Sequence, residues 1–549
     1  MKMGKQLLSI GNFIFLLLIM MSSSRDELYI LTLVQQDLGA LDGIEVGSDD
    51  ETIVDFNIFH TNDIHGGVDE NIGFAKFKHF INLANEYTRA EGYLVLDAGD
   101  IFHGTPFATV ELGQSVAQVL KVVGYDAMSP GNHDFNYGQD RLIELGKVAD
   151  VELLAANVKT IEGKLRYGDC FVKEIGEMRV GVFGLTTPET GTKTNPENVV
   201  GLTFGTEEEI VAEAKSMVQV LQERGVDVII GLMHMGIDAD SRIKSTTIAS
   251  QFDDIDLIID GHSHSELNQY EIVNGTILTS TGEHFKNVGV VTIQYDLMAD
   301  EIIKLVPHQI SMKQLEKCEE DTEVKSVIDR IKNNQKSILE EVIGTTAIKL
   351  EGGRSSVLNG HTNLGHLLTA AMLNETQADI SLINGGTIRD SIDVGMITKG
   401  DVLKVLPFSN HIVTVEMTGK QLIEILNKGL VIGSGRFLHF AGLLVEAKLV
   451  QEAGCPDRYE VLSVQFNQQP LELTQTYVVA MNDFMVAGGD DYQMSQSSNL
   501  LNSFGTLDEA LISYVKEYGE IAILNANQIN NLIILTEEDM LSDENKVNH

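Results

Sequence analysis

The stretch Pro130-Gly131-Asn132-His133-Asp134 decides how we interpret this chain. Residues 125–129 before it are typical of the end of a strand, and residues 138–147 after it are typical of the start of a helix. This places Asn132 and His133 on a tight loop at the carboxyl end of a strand, where open α/β sheets bind their ligands. An amide oxygen on such a loop can face a metal ion while the neighbouring imidazole faces a substrate. Alone, the stretch would fit a turn or a helix cap equally well.

Four further strand ends in the first half of the chain carry side chains that bind hard metal ions. These are Asp63 and His65 after 53–60, Asp97 and Asp100 after 93–96, His234 after 226–232, and His262 and His264 after 256–259. One histidine at a strand end is usually structural, but five such loops in series are hard to explain in that way. The strands alternate with helices, which predicts a mostly parallel α/β sheet whose carboxyl edge collects these side chains.

The candidate ligands outnumber the three protein ligands that one catalytic metal ion usually takes. They are Asp63, His65, Asp100, Asn132, His234, His262 and His264. This set suits two divalent ions bridged by Asp100, and imidazole with carboxylate but no thiolate favours Zn²⁺, Mn²⁺ or Fe. Two ions about 3.5–4 Å apart can clamp a phosphoryl group and hold a hydroxide for in-line attack. His133 can then stabilise the transferred group or protonate the leaving oxygen.

These motifs, in this order, resemble those of the calcineurin-like metallophosphoesterase superfamily and, within it, the 5′-nucleotidase family. They are His-Thr-Asn-Asp-Ile-His-Gly from His60, Asp-Ala-Gly-Asp from Asp97, Gly-Asn-His-Asp from Gly131, His-Met-Gly from His234 and Gly-His-Ser-His from Gly261. The resemblance implies an N-terminal α/β sandwich domain that performs the chemistry. It also implies two metal positions, one formed by Asp63, His65, Asp100 and His264, and the other by Asp100, Asn132, His234 and His262.

The chain departs from the family pattern at three positions. Members often have Gln where His264 stands. The catalytic dyad of the pattern falls on His133 and Asn136, and the pattern has Asp at the second position. An amide can accept a hydrogen bond from the imidazole but cannot raise its basicity as a carboxylate would, and some relatives acting on 2′,3′-cyclic nucleotides resemble the chain here. A further Arg of the bacterial pattern is Leu358, which predicts a weaker grip on di- and triphosphates.

The second half of the chain has glycine-rich and aromatic loops after strands predicted at 378–383, 402–406 and 477–481. From the residues alone, a salt-bridged Arg389 and two core phenylalanines are as good an explanation as a binding site. The loops resemble those of the 5′-nucleotidase C-terminal domain, and this resemblance favours the binding site over the structural explanation. The resemblance implies base stacking by Phe408 and Phe484, binding of phosphate or carboxylate-like oxygens by Arg389, a substrate contact by Arg354, and base or ribose contacts by Asn384 and Asp490.

We expect an α/β catalytic domain joined by a helix to an α+β nucleotide-binding domain. The expected division is a signal-like segment 1–24, a poorly ordered acidic segment 25–52, the metallophosphoesterase domain 53–310, a linker helix 311–341, the C-terminal substrate-binding domain 342–520 and a tail 521–549. Lys2 and Lys5 precede an apolar run, Leu7 to Met21, that fits a secretory signal and is short for a membrane span. This predicts a secreted protein, extracellular, periplasmic or at the cell surface, without a transmembrane span.

The charge of the chain restricts its partners. The formal net charge is −41, from 80 acidic and 39 basic residues, and such a surface repels phosphate backbones. We therefore expect no nucleic acid polymer bound by a basic patch, and a phosphate substrate needs metal ions or Arg side chains concentrated at its site. Three cysteines lie far apart and indicate neither a metal site nor a disulfide framework. The oligomeric state stays open.

The leading hypothesis is a secreted dimetal phosphohydrolase that releases phosphate from nucleoside 5′-monophosphates held between two domains. Two alternatives keep the site but change the substrate: a 2′,3′-cyclic-nucleotide 2′-phosphodiesterase/3′-nucleotidase and a UDP-sugar hydrolase. A third alternative is an inactive nucleotide-binding surface protein, against which the intact ligand set argues. The resemblance also suggests that domain rotation gates turnover.

Overall fold

The computed structural model describes residues 44, 47–48, 50–239, 241–267, 270–408, 410–452, 454–492, 499–521 and 531–535. The expected signal-like segment 1–24 lies outside these residues, as does most of the acidic segment 25–52. The last part of that segment contacts the first domain, because Ile44 is buried and the Gly47 amide donates to Thr88. No helix within the described ranges has the length and apolar character to cross a membrane.

The first domain consists of two packed sheets with helices around them. Its strands are β1 (Ile53–Thr61), β2 (Gly92–Asp97), β3 (Ala127–Met128), β4 (Glu152–Leu153), β5 (Lys159–Thr160), β6 (Cys170–Ile175), β7 (Met178–Thr186), β8 (Leu202–Thr203), β9 (Val228–His234), β10 (Leu257–Asp260), β11 (Glu271–Val273), β12 (Thr276–Thr279), β13 (Asn287–Asp296) and β14 (Glu301–Ser311). Its helices are α1 (Gly73–Thr88), α2 (Pro106–Thr109), α3 (Gln114–Val123), α4 (Gln139–Ala149), α5 (Thr190–Lys193), α6 (Glu207–Glu223) and α7 (Ser245–Ala249), with 3₁₀ turns at Asn132–Tyr137 and Pro196–Val199.

Two six-stranded sheets form this domain, which confirms the α/β sandwich implied by the family resemblance; the strand pattern alone had predicted one mostly parallel sheet. Their strand orders are β14-β13-β1-β2-β3-β4 and β11-β12-β10-β9-β7-β6. Within them β1 to β4 run parallel, as do β7, β9, β10 and β12. One apolar core lies between the sheets, and Phe56 and Leu94 of the first sheet share it with Val182 and Ile230 of the second. An apolar run does not reveal to which of two facing sheets it belongs. The sandwich brings the loops of both sheets to one end.

The connection between the domains is a helix shorter than the predicted 311–341. It is α8 (Thr322–Leu339), and it begins where the Asp321 carboxylate accepts hydrogen bonds from the amides of Glu323 and Val324, each at 3.0 Å. Residue 311, where the helix was predicted to begin, is the last residue of the edge strand β14. This strand was not predicted from the sequence, because its residues are mostly half-buried and do not alternate cleanly between apolar and polar. Gln335 of α8 donates to the Phe107 carbonyl at 3.1 Å, so the helix is packed on the first domain.

The second domain combines three sheets with helices. Its strands are β15 (Val342–Thr346), β16 (Ile380–Asn384), β17 (Gly395–Thr398), β18 (His411–Thr418), β19 (Leu438–Ala441), β20 (Leu443–Val450), β21 (Arg458–Phe466), β22 (Gln469–Pro470), β23 (Thr476–Asn482), β24 (Asn499–Thr506), β25 (Glu520–Ile521) and β26 (Leu532–Ile534). Its helices are α9 (Arg354–Val357), α10 (Asn363–Thr376), α11 (Lys399–Val405), α12 (Gly419–Gly429), α13 (Asp483–Val486) and α14 (Leu507–Tyr518), with 3₁₀ turns at Gly385–Thr387 and Gly489–Asp491. The central sheet has the order β19-β16-β23-β18-β24.

Two sequence predictions for this domain are wrong. Residues 402–406 were predicted as a strand but belong mainly to α11, because Thr398 and Asp401 form a capping box in which each side chain bonds to the other's backbone amide. The expected tail 521–549 contains β26, which pairs in parallel with β20. Asn531 accepts a 2.7 Å hydrogen bond from the Val445 amide, and Leu532 packs against the domain core.

Three histidines cluster in the second domain. The ring of His361 lies 5.3 Å from that of His439 and 5.4 Å from that of His366. His439 Nε2 lies 2.9 Å from the Val357 carbonyl oxygen. Burial lowers the pKa of His439 to about 4 and holds the pKa of His361 well below its ordinary value. Both rings are therefore neutral in the folded protein at neutral pH.

This cluster predicts acid lability of the second domain. Below pH 6.5 the unfolded chain protonates these imidazoles and the folded chain does not, so stability that is present at pH 7 is lost as the pH falls towards about 4. We expect the free energy of unfolding to fall by roughly 2–4 kcal/mol between pH 7 and pH 5, since each pKa unit corresponds to about 1.4 kcal/mol. Urea midpoints at the two pH values measure this. His439→Gln keeps the donor but cannot titrate, so an unchanged pH slope in that variant would contradict the account.

Candidate dimetal site between the domains

Most of the candidate metal ligands lie on backbone in the left-handed region, directly after strand ends. The φ angles are 52° for Asp63, 51° for His65, 59° for Asp100, 81° for His262 and 52° for His264. Left-handed backbone costs a non-glycine residue about 1–2 kcal/mol. Such a concentration of unfavourable backbone persists only where the surrounding structure holds it, and it is typical of functional sites.

One carboxylate that the sequence analysis left without a role holds two of these loops together. Asp134 Oδ2 accepts hydrogen bonds from the amides of Asp100 and Gly131 at 2.8 Å, and its Oδ1 accepts from those of Ile101 and Phe102 at 3.0 Å. Burial and the charge of Asp100 raise the pKa of Asp134 to about 6. Asp134 thereby fixes the Asp100 loop against the loop of Asn132 and His133.

Hydrogen bonds of the neighbouring Asn62 side chain orient Asp63. The Asn62 amide donates to Asp63 Oδ2 at 2.7 Å, and its oxygen accepts hydrogen bonds from the Thr281 amide at 2.9 Å and hydroxyl at 2.7 Å. Glycine at 131 lets the loops approach closely, because a Cβ there would lie 2.2 Å from Asp100 Oδ1. The loops are thus packed as tightly as their side chains allow.

The first group of candidate ligand atoms comes from Asp63, His65 and His264, whose donor atoms lie within 4.8 Å of one another. His264 Nε2 is 3.2 Å from His65 Nε2 and 3.5 Å from Asp63 Oδ1. Ligands at about 2.0–2.2 Å from one ion lie roughly 3.0–3.5 Å from each other in octahedral or tetrahedral geometry. These separations fit one divalent ion.

The second group contains Asp63, Asp100 and His234. His234 Nε2 lies 3.4 Å from Asp100 Oδ2. Two more candidates lie beside each other, with His262 Nδ1 2.9 Å from Asn132 Oδ1. Asp63 is therefore common to both groups, whereas the resemblance implies that Asp100 is the bridge. Asp100 Oδ1 instead accepts a 2.7 Å hydrogen bond from the His133 amide.

The electrostatics of this cluster fit divalent cations. The ion pairs of Asp63 and Asp100 are with histidines. Burial holds the pKa of His65 well below its ordinary value, so its ring is in the neutral form that binds metals. Burial opposes charging of His234 too, but the Asp100 carboxylate raises the pKa of this residue to about 10. Its Nε2 is buried without a hydrogen bond to the described residues, while its Nδ1 lies 2.6 Å from the Ala98 carbonyl oxygen.

His133 and Asn136 are in contact, but not in the way a carboxylate dyad would be. The Asn136 amide nitrogen lies 3.0 Å from His133 Nδ1, and its oxygen accepts a 2.8 Å hydrogen bond from the Thr194 hydroxyl. Because the amide nitrogen can only donate, His133 Nδ1 accepts and the ring proton is on Nε2. Burial holds the pKa of His133 well below its ordinary value.

We expect Asn136→Asp to increase phosphate release from a nucleotide by roughly tenfold. A carboxylate would accept a hydrogen bond from His133 Nδ1–H and so stabilise the imidazolium that protonates the leaving oxygen, a step worth about 10²–10⁴-fold in full. The measurement compares AMP with p-nitrophenyl phosphate, whose leaving group needs no protonation and serves as the internal control. An equal effect on both substrates, or a loss on both, would contradict this role of His133.

Three cavities of about 410, 650 and 600 Å³ meet at the cluster, and His133, Arg354 and Arg389 line each of them. The two guanidinium groups form no hydrogen bond to any residue that the structure describes. Burial and the charge of Arg354 lower the pKa of Arg389 to about 10. Two like charges held side by side without a carboxylate partner indicate an anion site beside the candidate metal ligands.

The smallest of these cavities brings all the predicted substrate-binding residues together. It is lined by Arg354, Asn384, Arg389, Phe408, Phe484 and Asp490, together with His133 and Asn136. The ring of Phe408 stacks on His103 at 5.0 Å and lies 5.6 Å from that of His133. His103 Nε2 is 2.9 Å from the Pro407 carbonyl oxygen, so this contact joins the two domains.

The opposite wall of this cavity is also built from both domains. Phe484 packs against Gly489, where a Cβ would lie 2.4 Å from the ring. Asp490 accepts a 3.0 Å hydrogen bond from the Asn384 amide and forms a 3.4 Å ion pair with Lys193 of the first domain. Asn384 thus positions Asp490 within the second domain. The ion pair with Lys193 joins Asp490 to the first domain.

Each of the two domains matches a known protein family model. Residues 56–266 match the family model described as calcineurin-like phosphoesterase, and residues 342–497 match the model described as 5′-nucleotidase, C-terminal domain. The chain is 28% identical to the 5′-nucleotidase of Vibrio vulnificus, over 80% of this chain and 86% of that protein. The chain belongs to the 5′-nucleotidase family. Within that family its first domain is that of a metal-dependent phosphoesterase.

Two other relatives are similar over most of this chain. The trifunctional nucleotide phosphoesterase protein YfkN of Bacillus subtilis is 30% identical over 85% of this chain, which spans only 34% of YfkN. The crystal structure of a 5′-nucleotidase precursor from Thermus thermophilus is 28% identical, with a TM-score of 0.71 over 88% of this chain and all of that one. The two-domain 5′-nucleotidase architecture is therefore common to this chain and a solved structure.

Several residues of this 5′-nucleotidase-family site were missed by the sequence analysis. They are Asn62, His103, Asp134 and Lys193, together with Glu189 and Glu283, whose carboxylates contact His262 and His264. Asp134 was within the deciding stretch, and its fixed place three residues after Gly131 was a usable sign of a capping carboxylate. Lys193 and Glu189 lie in a segment without a motif, and their partners are far away in the sequence. No local pattern could have identified them.

Proposed function

We propose that this protein is a dimetal phosphohydrolase that releases phosphate from nucleoside 5′-monophosphates. One observation carries the proposal: the candidate ligand Asn132, the imidazole of His133, two unpaired guanidinium groups and two aromatic rings line one cavity of about 410 Å³. That volume is within the range of small-molecule sites. The guanidinium groups fit a phosphate and the phenylalanine rings fit a base, and the two kinds of group adjoin where Arg389 lies 5.4 Å from the centre of the Phe408 ring.

The residues of the chain have separate tasks in this reaction. Phe408 and Phe484 hold the base, Asp490 faces the ribose, and Arg354 and Arg389 hold the phosphate in position for in-line attack. When bound, two divalent ions supply Lewis acidity and a deprotonated water, so no covalent nucleophile of the chain is required. His133 holds its proton on Nε2, directs that N–H at the departing ribose oxygen and stabilises the negative charge that develops there.

The alternatives differ in the group attached to phosphorus. Asn136 favours a 2′,3′-cyclic-nucleotide 2′-phosphodiesterase/3′-nucleotidase, because the resemblance at this position is to relatives of that kind. The neighbouring cavity of about 600 Å³, with Arg242 and Arg436 on its wall, would accommodate the second half of a UDP-sugar. Leu358 is 7% exposed and packs in the domain core, so it offers no cation for further phosphates.

Phosphate release from AMP, UDP-glucose and 2′,3′-cyclic AMP, the last two coupled to a phosphatase, tests these proposals. The assay is run with Mn²⁺ or Zn²⁺, with chelator, and with Asp100→Asn. We expect AMP to be the best substrate and chelator to abolish the activity. Preference for the cyclic substrate would move the assignment to the phosphodiesterase, and no activity on any of them would contradict a nucleotide substrate.

We further propose that the protein is secreted, on the strength of the basic and apolar residues at 2–21. Expression of the full chain with and without residues 1–24 tests this. We expect only the full chain to leave the cytoplasm, and N-terminal sequencing of the exported protein would locate the cleavage. Equal retention of both forms would contradict secretion.

A further inference from the structure

Two glutamates outside the candidate ligand set each contact one histidine of the metal cluster. Glu189 Oε2 lies 2.8 Å from His262 Nε2, and Glu283 Oε2 lies 2.5 Å from His264 Nδ1. The opposite ring nitrogens face the cluster, where His262 Nδ1 is 2.9 Å from Asn132 Oδ1 and His264 Nε2 is 3.5 Å from Asp63 Oδ1. Each glutamate therefore bonds to the ring nitrogen that points away from a metal position. The other ring nitrogen of each histidine is left to bind an ion.

The two contacts are structurally independent. Glu189 follows β7 and precedes α5, and its side chain is 8% exposed. Glu283 follows β12, its side chain is 28% exposed, and its other oxygen accepts a 2.9 Å hydrogen bond from Lys286. The two glutamates also serve histidines that the family resemblance assigns to different metal positions. A change at one contact is therefore not expected to reach the other.

We propose that Glu189 and Glu283 are positioning residues that set the affinities of the two metal positions separately. Glu189 acts through His262 on the position shared with Asn132 and His234, and Glu283 acts through His264 on the position shared with Asp63 and His65. A carboxylate that accepts the outer N–H fixes the tautomer, aims the inner lone pair at the ion and makes the imidazole a stronger ligand. The inference rests on the proposed function, because it requires two ions per chain.

The size of the effect should differ between the two glutamates. Loss of such a partner typically lowers metal affinity by about 10–100-fold. Lys286 already neutralises part of the charge on Glu283. We therefore expect a loss of about 100-fold at one position in Glu189→Gln and a loss of about 10-fold at the other position in Glu283→Gln.

Calorimetric titration of the full, chelator-stripped chain with Mn²⁺ tests the inference, together with metal analysis after gel filtration. We expect two ions in the wild type, and in each variant one weakened ion and one unchanged. Glu213→Gln is the matched control, because Glu213 is a half-buried glutamate of the first domain that forms a 2.6 Å ion pair with Lys159, away from the histidines of the cluster. Its affinities should equal those of the wild type. Thermal melts of each metal-free variant show whether it is folded.

The same substitutions in a chain that lacks one metal ligand show which glutamate acts on which metal position. In His65→Ala, which lacks a ligand of the first position, Glu189→Gln should still weaken the remaining ion and Glu283→Gln should leave it unchanged. Two wild-type affinities in both glutamate variants, or equal weakening of both ions in each, would overturn the inference while the proposed function stands. A wild-type chain that binds no ion would overturn the proposed function and the inference with it.

Discussion

Replacing Asp100 by Asn is expected to reduce phosphate release from AMP by about 10³-fold or more. Asp100 is buried, its Oδ2 lies 3.4 Å from His234 Nε2, and its Oδ1 accepts a hydrogen bond from the His133 amide. An amide would put an N–H₂ group where one of these oxygens stands and would remove a negative charge from the second group of candidate ligands. Loss of one preorganised electrostatic contact typically costs 10²–10³ in kcat, and here the metal clamp is lost with it.

The measurement is kcat/KM for AMP at saturating Mn²⁺, with the bound metal counted in the same sample. Asp97→Asn is the control. Burial raises the pKa of Asp97 well above its ordinary value, and its two oxygens accept hydrogen bonds from the Thr61 hydroxyl and the Gly99 amide, which leaves an amide room to replace it. We expect that variant to keep activity within about tenfold of wild type, since Asp97 belongs to neither candidate ligand group. Activity of Asp100→Asn within tenfold of wild type would contradict the assigned role.

Replacing Asp134 by Asn is expected to destabilise the first domain by about 3 kcal/mol or more. Four backbone amides donate to the two oxygens of Asp134. Asn keeps one oxygen and presents an N–H₂ group to the other two amides, and each buried donor left unpaired costs about 1–3 kcal/mol. The same change releases the Asp100 loop from the loop of Asn132, so we also expect weaker metal binding.

Urea unfolding of the metal-free variant measures the first effect, and metal titration measures the second. Asp140→Asn is the matched control, because the Asp140 side chain is 91% exposed and forms a surface ion pair with Arg166. A surface pair of this kind contributes about 0–1 kcal/mol. If Asp134→Asn unfolds at the wild-type urea concentration and binds two ions with wild-type affinity, the loops are not held as described here.

The sequence was sufficient to predict that Asp63, Asp100, His234 and His262 lie just after strands, because each of them follows an apolar run typical of a buried strand. It could not show that these strands belong to two facing sheets, since the side-chain alternation is the same for either sheet. Residues 402–406 show the limit of local patterns. Val402, Leu403 and Val405 favour a strand, but the capping box of Thr398 and Asp401 starts a helix there.

Long-range partners were beyond sequence reasoning for a different reason. The Asn136 amide was expected to accept a hydrogen bond from His133, yet it donates one, because the Thr194 hydroxyl holds its oxygen. The ion pair of Lys193 with Asp490 joins residues almost 300 positions apart. Which of several polar groups meet across such distances depends on how the two domains pack, and no spacing in the chain encodes it.

The most direct test of the central claim is the anomalous scattering of a crystal grown with Mn²⁺ and a non-hydrolysable phosphonate analogue of AMP. The account predicts two peaks about 3.5–4 Å apart. One should lie at Asp63, His65 and His264, and the other at Asn132, His234 and His262, with the phosphonate between them and the two arginines. A single ion, no ion, or an analogue bound outside the cavity of Phe408 and Phe484 would contradict the account.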